Sequence, residues 1–205
     1  MSDLGRLQHP HFARLYVRLS QAAEKNGASS HRDRLLVGLS GRVIEVGAGN
    51  GLNFKHYPET LTEVLAVEPD DVLRGLAEKA ATSAAVPIRV VPGHADALPA
   101  EDARFDAAVA SLVLCSVPDP TSALAELHRI LRPGGELRFY EHVRSDRRWI
   151  GRVEDVIQPL WSRAAGGCHP NRDTLAAIRS AGFDVTQVEQ VRFGFLHVLG
   201  RATRS

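Results

Sequence analysis

The sequence predicts an α/β fold: a doubly wound, mostly parallel sheet of seven strands, with a helical N-terminal lid and a helical cap insertion. Three observations predict it. From Arg42 to His142, short β-rich runs alternate with amphipathic helical stretches, the pattern of successive βαβ units. The first run leads straight into a glycine-rich turn, Gly47-Ala48-Gly49-Asn50-Gly51. The chain closes on two apolar stretches with no helix between them, which read as an antiparallel pair at the sheet edge.

The elements follow in order. From His11 to about Gly38 the pattern is helical, with Phe12, Leu15, Tyr16 and Leu19 on one face. Asn26-Gly27 breaks it, and a second short helix covers His31 to Leu39. Strands are predicted at 42–46, 64–68, 88–91, 105–111 and 136–142. Between them lie a helix from Asp70 to Ala81 and one entered through Asp119-Pro120, an N-cap followed by proline at the first helical position. That second helix stops at Pro133-Gly134-Gly135. Residues 144–167 carry Trp149, Val153, Val156, Leu160 and Trp161 at helical spacing and read as a cap broken at Pro159. Asn171 is placed to cap a helix through Ile178, before Phe183 to Val191 and Phe193 to Ala202 form the closing hairpin. One domain results: lid 1–40, core 41–142, cap insertion 143–170, and C-terminal helix and hairpin 171–205.

Composition narrows the function. At 205 residues and 44% hydrophobic, the chain can bury one substantial core without staples. Its 25 basic and 24 acidic residues give a net charge of +1, so no global field draws it to nucleic acid. Lys25, Lys55 and Lys79 are the only lysines, and no basic patch appears. Two cysteines, Cys115 and Cys168, make no disulfide framework, and a reducing cytoplasm is expected. The first six residues lack the apolar core of a signal peptide. Runs such as Ala107 to Cys115 are too short to span a bilayer, so a soluble protein with no transmembrane segment is expected. Peripheral contact with a membrane stays open.

Function is carried by the turn after the first strand. Glycine is needed where the backbone bends sharply and a ligand lies against it. A dinucleotide fingerprint would place its third glycine at position 52, which is Leu52, so no pyrophosphate site is implied. The next strand ends in Glu68-Pro69, about 20 residues on, where a carboxylate can accept from both hydroxyls of a ribose. This pair favours an adenosine ligand without phosphates, which S-adenosylmethionine is. His94-Ala95-Asp96-Ala97-Leu98-Pro99 follows the third strand, with Asp96 able to accept from an adenine amine. Ser111-Leu112-Val113-Leu114 closes the fourth strand. All four segments fall at the carboxyl ends of strands, where open α/β sheets bind ligands.

These residues resemble the class I S-adenosylmethionine-dependent methyltransferases over roughly the whole chain, with Leu131-Arg132-Pro133-Gly134-Gly135 in the expected order. The resemblance implies the Rossmann-like methyltransferase fold, with Gly47, Gly49 and Gly51 under S-adenosylmethionine, Glu68 on its ribose and Asp96 on its adenine. Glu45, Asn50, Asn53, Pro69, Ala97, Leu112 and Val113 complete the expected cofactor site, and S-adenosylhomocysteine is the expected product. Later segments, Leu112 to Val117, Glu141-His142-Val143, Gln158 to Trp161, Gly166-Gly167-Cys168-His169 and His197 to Gly200, resemble the methyltransferase-like group that contains the mammalian alkyl thiol methyltransferases. Mammalian members begin with a hydrophobic anchor, where this chain has a polar helical start.

A small-molecule acceptor is therefore expected, a thiol first, with a quinone precursor or lipid headgroup methylated at carbon, oxygen or nitrogen as the alternative. A non-catalytic module that binds the methyl donor is the alternative from another class. His142, ending the fifth strand, is the first candidate base, weighed against a histidine that merely satisfies a loop. His169 is the second, weighed against a residue with no chemical role. Glu141 alternates with His142, so one of the two is expected to face the site. Cys115 reads as a small core residue with no base beside it, Cys168 as lying in a more open turn, and His197 as structural. Phe12, Tyr16 and Trp161 are candidates for the acceptor pocket, against plain core packing. His9-Pro10-His11 lacks a third ligand, and no metal is expected.

Overall fold

The computed structural model describes residues 5, 8, 10–193 and 195–205. His9, the His11 side chain and most of the first six residues, on which the leader and metal readings fall, lie outside the described residues.

Seven strands form one sheet: β1 (Gly41–Val46), β2 (Leu61–Val67), β3 (Ile88–Val91), β4 (Phe105–Ser111), β5 (Leu131–His142), β6 (Phe183–Phe193) and β7 (Phe195–Arg204). Their order is β3-β2-β1-β4-β5-β7-β6, with β1 to β5 parallel and β7 antiparallel to both neighbours. Val46 is level with Val67 on one side and Ala110 on the other, and Ser111 is level with Tyr140. The loops after β1, β2, β4 and β5 therefore open on one edge. The strand order reverses between β1 and β4, which is where a ligand crevice forms in such sheets.

Alternation along the strands divides the core. Val43, Val64, Ala107 and Tyr140 pack on one face with Leu35, Leu36 and Ala77 of α2 (Ser29–Leu36) and α3 (Asp71–Ala81). Ile44, Leu65, Ala108 and Phe139 pack on the other with Leu124, Leu127 and Ile178 of α4 (Pro120–Ile130) and α6 (Thr174–Ser180). Asp70 caps α3 through the Val72 and Leu73 amides at 2.9 and 3.1 Å, and Asp119 caps α4 through Thr121 at 2.9 Å.

Several local expectations are corrected. α1 (Pro10–Ala23) passes into α2 through a π-turn, Glu24–Ala28, kinked at Asn26 and at Gly27, whose φ is 111°; the Asn26-Gly27 break is a bend. α4 ends at Ile130 and β5 begins at Leu131, so Pro133-Gly134-Gly135 forms a bulge within the strand instead of ending the helix. α5 (Arg148–Ala164) continues through Pro159, because the helical pattern on both sides tolerates one lost backbone bond. Asp173, not Asn171, caps α6, accepting from Ala176 at 3.0 Å; Asn171 donates to Asp155 instead. The apolar stripe of α5 faces outward, with Trp149, Val156 and Leu160 67%, 80% and 75% exposed. Among the described residues no helix is long and apolar enough to cross a membrane.

Candidate active site

The glycine loop is held from behind by the neighbouring strand. Gly47 and Ala48 donate to the Val67 carbonyl at 2.8 and 3.1 Å, and Gly49 donates to Glu68 Oε2 at 2.7 Å. Gly47 and Gly49 both have positive φ, 66° and 57°, which costs a side chain and not glycine. A Cβ on Gly47 would lie 2.5 Å from the Val113 side chain, and one on Gly49 would lie 3.3 Å from the Tyr16 hydroxyl oxygen. The bare backbone thus leaves room for the segments that close over it.

Glu68 is buried, and its Oε1 accepts from the Asp70 amide at 3.0 Å. Burial pushes its carboxyl up to about 7, opposed by the Asp70 and Gly49 amides and by Arg74, and reinforced by the Asp70 charge. Each carboxylate oxygen keeps a second lone pair for a ligand. An oriented carboxylate beside a backbone bend free of side chains fits the ribose and amino-acid parts of S-adenosylmethionine. The Pro69 carbonyl accepts from Gln8 Nε2 at 2.7 Å, which brings the N-terminal segment to the same loop.

Glu45 and Asn53 lie beneath the loop and bind one another. Asn53 Nδ2 donates to Glu45 Oε1 at 2.8 Å, and the Tyr57 hydroxyl to Oε2 at 2.7 Å. Arg32 donates to Asn53 Oδ1 and to Glu24, tying α2 to this layer. Burial raises the Glu45 carboxyl to about 7 against the Tyr57 and Asn53 hydrogen bonds. Asn50 reaches Ser20 of α1 at 3.4 Å.

Across the crevice, the turn after β4 is strained. Leu112 has φ 60°, a left-handed conformation that costs a branched residue about 1–2 kcal/mol. Glu141 holds it there: the amides of Val113 and Leu114 donate to Oε1 at 2.9 Å, and that of Cys115 to Oε2 at 3.0 Å. This buried carboxyl, too, is pushed up to about 7 by desolvation, against those three amides. Glu141 faces away from His142, as strand alternation requires, and builds the backbone nest of the turn.

His142 meets two sulfurs. Its Nδ1 lies 3.4 Å from Cys115 Sγ and 3.5 Å from Cys168 Sγ, and the sulfurs are 3.8 Å apart. The expectation that Cys115 has no base nearby is therefore wrong, and Cys168, expected in an open turn, is buried. Both follow from tertiary packing: His169 donates its amide to the Cys115 carbonyl at 2.7 Å, which docks the 166–169 turn on the end of β4. The Cys168 thiol ionises more easily than a free one, because it shares a hydrogen bond with Cys115 and His142 stands beside it, whereas that contact and burial push Cys115 up. The His169 ring turns back onto the Gly167 carbonyl at 2.6 Å. His197 stacks beside Tyr140 and His142, centroids 5.1 and 4.3 Å away, and burial lowers it to about 3, a neutral packing residue.

Other expected residues are more dispersed. Asp96 is exposed and paired with His94, and Ala97 is exposed beside it. Phe12 lies over Gly166 and 6.0 Å from Tyr16, ring to ring. Tyr16 is pushed up by burial, lowered by Arg32 and raised by Glu68, Glu45 and Cys115. Trp161 packs edge-on against Phe195 at 4.8 Å, and Phe195 in turn against His142 at 5.7 Å. Arg32 and Tyr57 were not singled out, and Glu141 was weighed only against His142, because the contacts that give them their roles are made by tertiary packing.

Residues 44–139 match the family described as a methyltransferase domain. The human thiol S-methyltransferase TMT1B is 35% identical over 76% of this chain, which spans 66% of that protein. The rat thiol S-methyltransferase TMT1B is 32% identical over 185 residues, 82% of this chain and 74% of the relative. The chain belongs to the S-adenosylmethionine-dependent methyltransferases. Its fold is that of the family: a solved S-adenosylmethionine-dependent methyltransferase from Thermotoga maritima superimposes with a TM-score of 0.67 at 22% identity, covering 95% of this chain and 100% of that one. In this methyltransferase the glycine loop and Glu68 lie at the carboxyl ends of β1 and β2, the edge at which open α/β sheets bind ligands.

Proposed function

We propose that this methyltransferase transfers a methyl group from S-adenosylmethionine to a small-molecule thiol. One observation carries the acceptor class: similarity to a protein named for thiol S-methylation runs over 185 residues, well beyond the 44–139 cofactor core. A relative named for quinone C-methylation agrees over a comparable 173 residues at 32% identity, so the thiol reading draws on the thiol-named relatives at 31–35% identity together with the cluster below. The geometry supports it, since the acceptor end of the sheet carries sulfur and imidazole side by side at Cys115, Cys168 and His142.

S-adenosylmethionine supplies a methyl group already activated on a sulfonium. The chain's own work is to hold the donor, align the acceptor and exclude water. Glu68 is assigned to the ribose hydroxyls, Gly47, Gly49 and Gly51 to the bare floor, and Asp96, with Ala97, to the adenine edge. Glu45 and Asn53 brace the floor from below, and Leu112 and Val113 form the wall opposite. A thiol is only a few per cent thiolate near neutral pH, so its ionisation must be assisted. His142, the half-buried member of the cluster, is placed to assist it. Phe12 and Tyr16 of the lid and Trp161 of the cap bound an apolar acceptor pocket, with lid 1–40 and cap 143–170 closing over core 41–142. Two free buried cysteines suit a reducing, cytoplasmic setting.

The test is a panel of thiols, phenols, amines and a quinone precursor, followed by release of S-adenosylhomocysteine and transfer of labelled methyl. Thiols are expected to turn over at least about tenfold faster than the rest, a difference of about 1.4 kcal/mol in the barrier. A phenol or quinone precursor leading the panel would move the assignment to oxygen or carbon. Binding without any turnover would make the protein a donor-binding module.

A further inference from the structure

Cys115, His142 and Cys168 offer three ligand atoms, all within 4.8 Å of one another. We propose that they form a zinc site whose open fourth position takes the acceptor thiol as a thiolate. The inference rests on the thiol reading above for its substrate, and on geometry for the metal.

The geometry is that of a tetrahedron with its centre unfilled. Zn–S bonds of about 2.3 Å and a Zn–N bond of about 2.05 Å at tetrahedral angles place sulfurs about 3.8 Å apart and each sulfur about 3.6 Å from the nitrogen. The edges here are 3.8, 3.4 and 3.5 Å. Hydrogen bonds also reach these sulfurs, Cys168 Sγ donating to Cys115 Sγ and Ser116 Oγ lying 3.6 Å from Cys115 Sγ, but the single ring nitrogen serves one sulfur at a time, whereas a central cation binds all three ligand atoms. Two thiolates and an imidazole are a soft set that selects zinc over magnesium or calcium. Three protein ligands with a vacant position are the mark of a zinc site that does chemistry.

The ligands are fixed from outside. Glu141 holds the Cys115 amide, His169 holds the Cys115 carbonyl, and Arg172 Nη1 donates to the Leu114 and Val117 carbonyls at 2.8 Å. Arg172 also places a cation on the turn that would carry an anionic centre. The site borders the crevice: the turn bearing Cys115 also carries Val113, whose side chain lies against Gly47 of the cofactor loop.

The reaction balances without a further reagent. The acceptor thiol binds zinc and gives its proton to solvent, leaving a coordinated thiolate. Its sulfur forms a bond to the methyl carbon while the donor's sulfur–methyl bond breaks, and that electron pair stays on the donor sulfur. The products are a neutral methyl thioether, a poor ligand that leaves the metal, and S-adenosylhomocysteine. Two cysteinates neutralise zinc, so a third thiolate carries net negative charge and keeps its nucleophilicity.

The protein, reduced with a phosphine and stripped by chelator, is titrated with Co²⁺ alone. One equivalent is expected to bind with intense tetrahedral d–d absorption and a sulfur-to-cobalt charge-transfer band, both abolished by Zn²⁺. Cys115→Ser and Cys168→Ser should each weaken the charge-transfer band and lower affinity by at least about tenfold. Circular dichroism identifies a variant that misfolds, and the wild-type stoichiometry and band then decide alone. A simple alkyl thiol should shift the d–d bands as it takes the open position. A pale octahedral spectrum, or no binding, overturns the site, and a tetrahedral spectrum indifferent to thiol overturns the open position. Full-rate thiol methylation by stripped protein removes the metal and leaves the thiol reading standing. Tetrahedral cobalt with methyl transfer to non-thiols alone leaves the site standing and removes its thiol.

Discussion

The two sides of the crevice are built differently. On the cofactor side the two buried carboxylates are gripped from 2 to 19 residues away: Glu68 by Asp70 and Gly49, Glu45 by Asn53 and Tyr57. On the acceptor side, Glu141 reaches a turn 26 to 28 residues away, and Cys168 approaches a cysteine 53 residues away. The cofactor half is thus specified by local pattern, and the acceptor half by how distant segments dock. A common binding function can be written into a short motif, while the proposed acceptor surface is assembled from segments far apart in the chain.

The largest expected effect lies on the cofactor side. Glu68→Ala removes a carboxylate assigned two charge-assisted hydrogen bonds to ribose, worth about 3–6 kcal/mol together, or at least about a hundredfold in affinity. Calorimetry with S-adenosylhomocysteine measures it directly. A loss under about threefold would mean the ribose lies elsewhere, and the contrast between the two sides would go with it.

Next comes the acceptor side's own carboxylate. Glu141→Ala leaves three buried amides, those of Val113, Leu114 and Cys115, without their acceptor, and is expected to cost about 3 kcal/mol in stability. Denaturant unfolding measures the loss. The relaxed turn carries Leu112 and Val113 of the assigned cofactor wall as well as Cys115, so cofactor Kd and acceptor KM should both rise. An unchanged cofactor Kd would show that this wall does not touch the donor.

That division explains what could be read from the residues alone. The βαβ alternation, the glycine bend and the position of Glu68 at the end of β2 were legible because each is a short pattern with one physical reason. So was the closing hairpin, which completes the expected seven-stranded sheet as β6 and β7. The cluster at Cys115 was not, because its partners come from β5 and the turn after α5, and nothing in either cysteine's neighbourhood announces the other. The passage of α5 through Pro159 was missed for a related reason: proline's local cost is plain in sequence, whereas the helix on both sides that outweighs it is not. The outward face of α5 escaped because periodicity fixes which residues share a stripe, not which way the stripe points.

A titration sharpens the comparison further. Burial raises Glu68 to about 7, so in the free protein it is protonated over much of the range in which an isolated glutamate is charged. Ribose hydroxyls donate to the charged form, so cofactor binding expels a proton below that value and affinity rises with pH. From pH 6 to 8 the charged fraction grows about tenfold, and affinity should rise by a comparable factor. Glu68→Gln should flatten the slope. Glu45, raised similarly but occupied by Asn53 and Tyr57, should leave the slope intact as Glu45→Gln. A flat profile in the wild type would mean that Glu68 is ionised before the ligand arrives.

The smallest expected effect separates the halves by packing. Trp149 is 67% exposed on α5, so Trp149→Ala should change stability by under about 0.5 kcal/mol despite the size of the side chain. Leu124→Ala, fully buried between α4 and the sheet, should cost about 3 kcal/mol. The ratio matters more than either number, because transfer free energy follows area removed from water, not residue type. Thermal melts of the two variants supply it. A Trp149→Ala loss approaching that of Leu124→Ala would mean that the α5 stripe packs inward in solution, giving the acceptor side a core of its own.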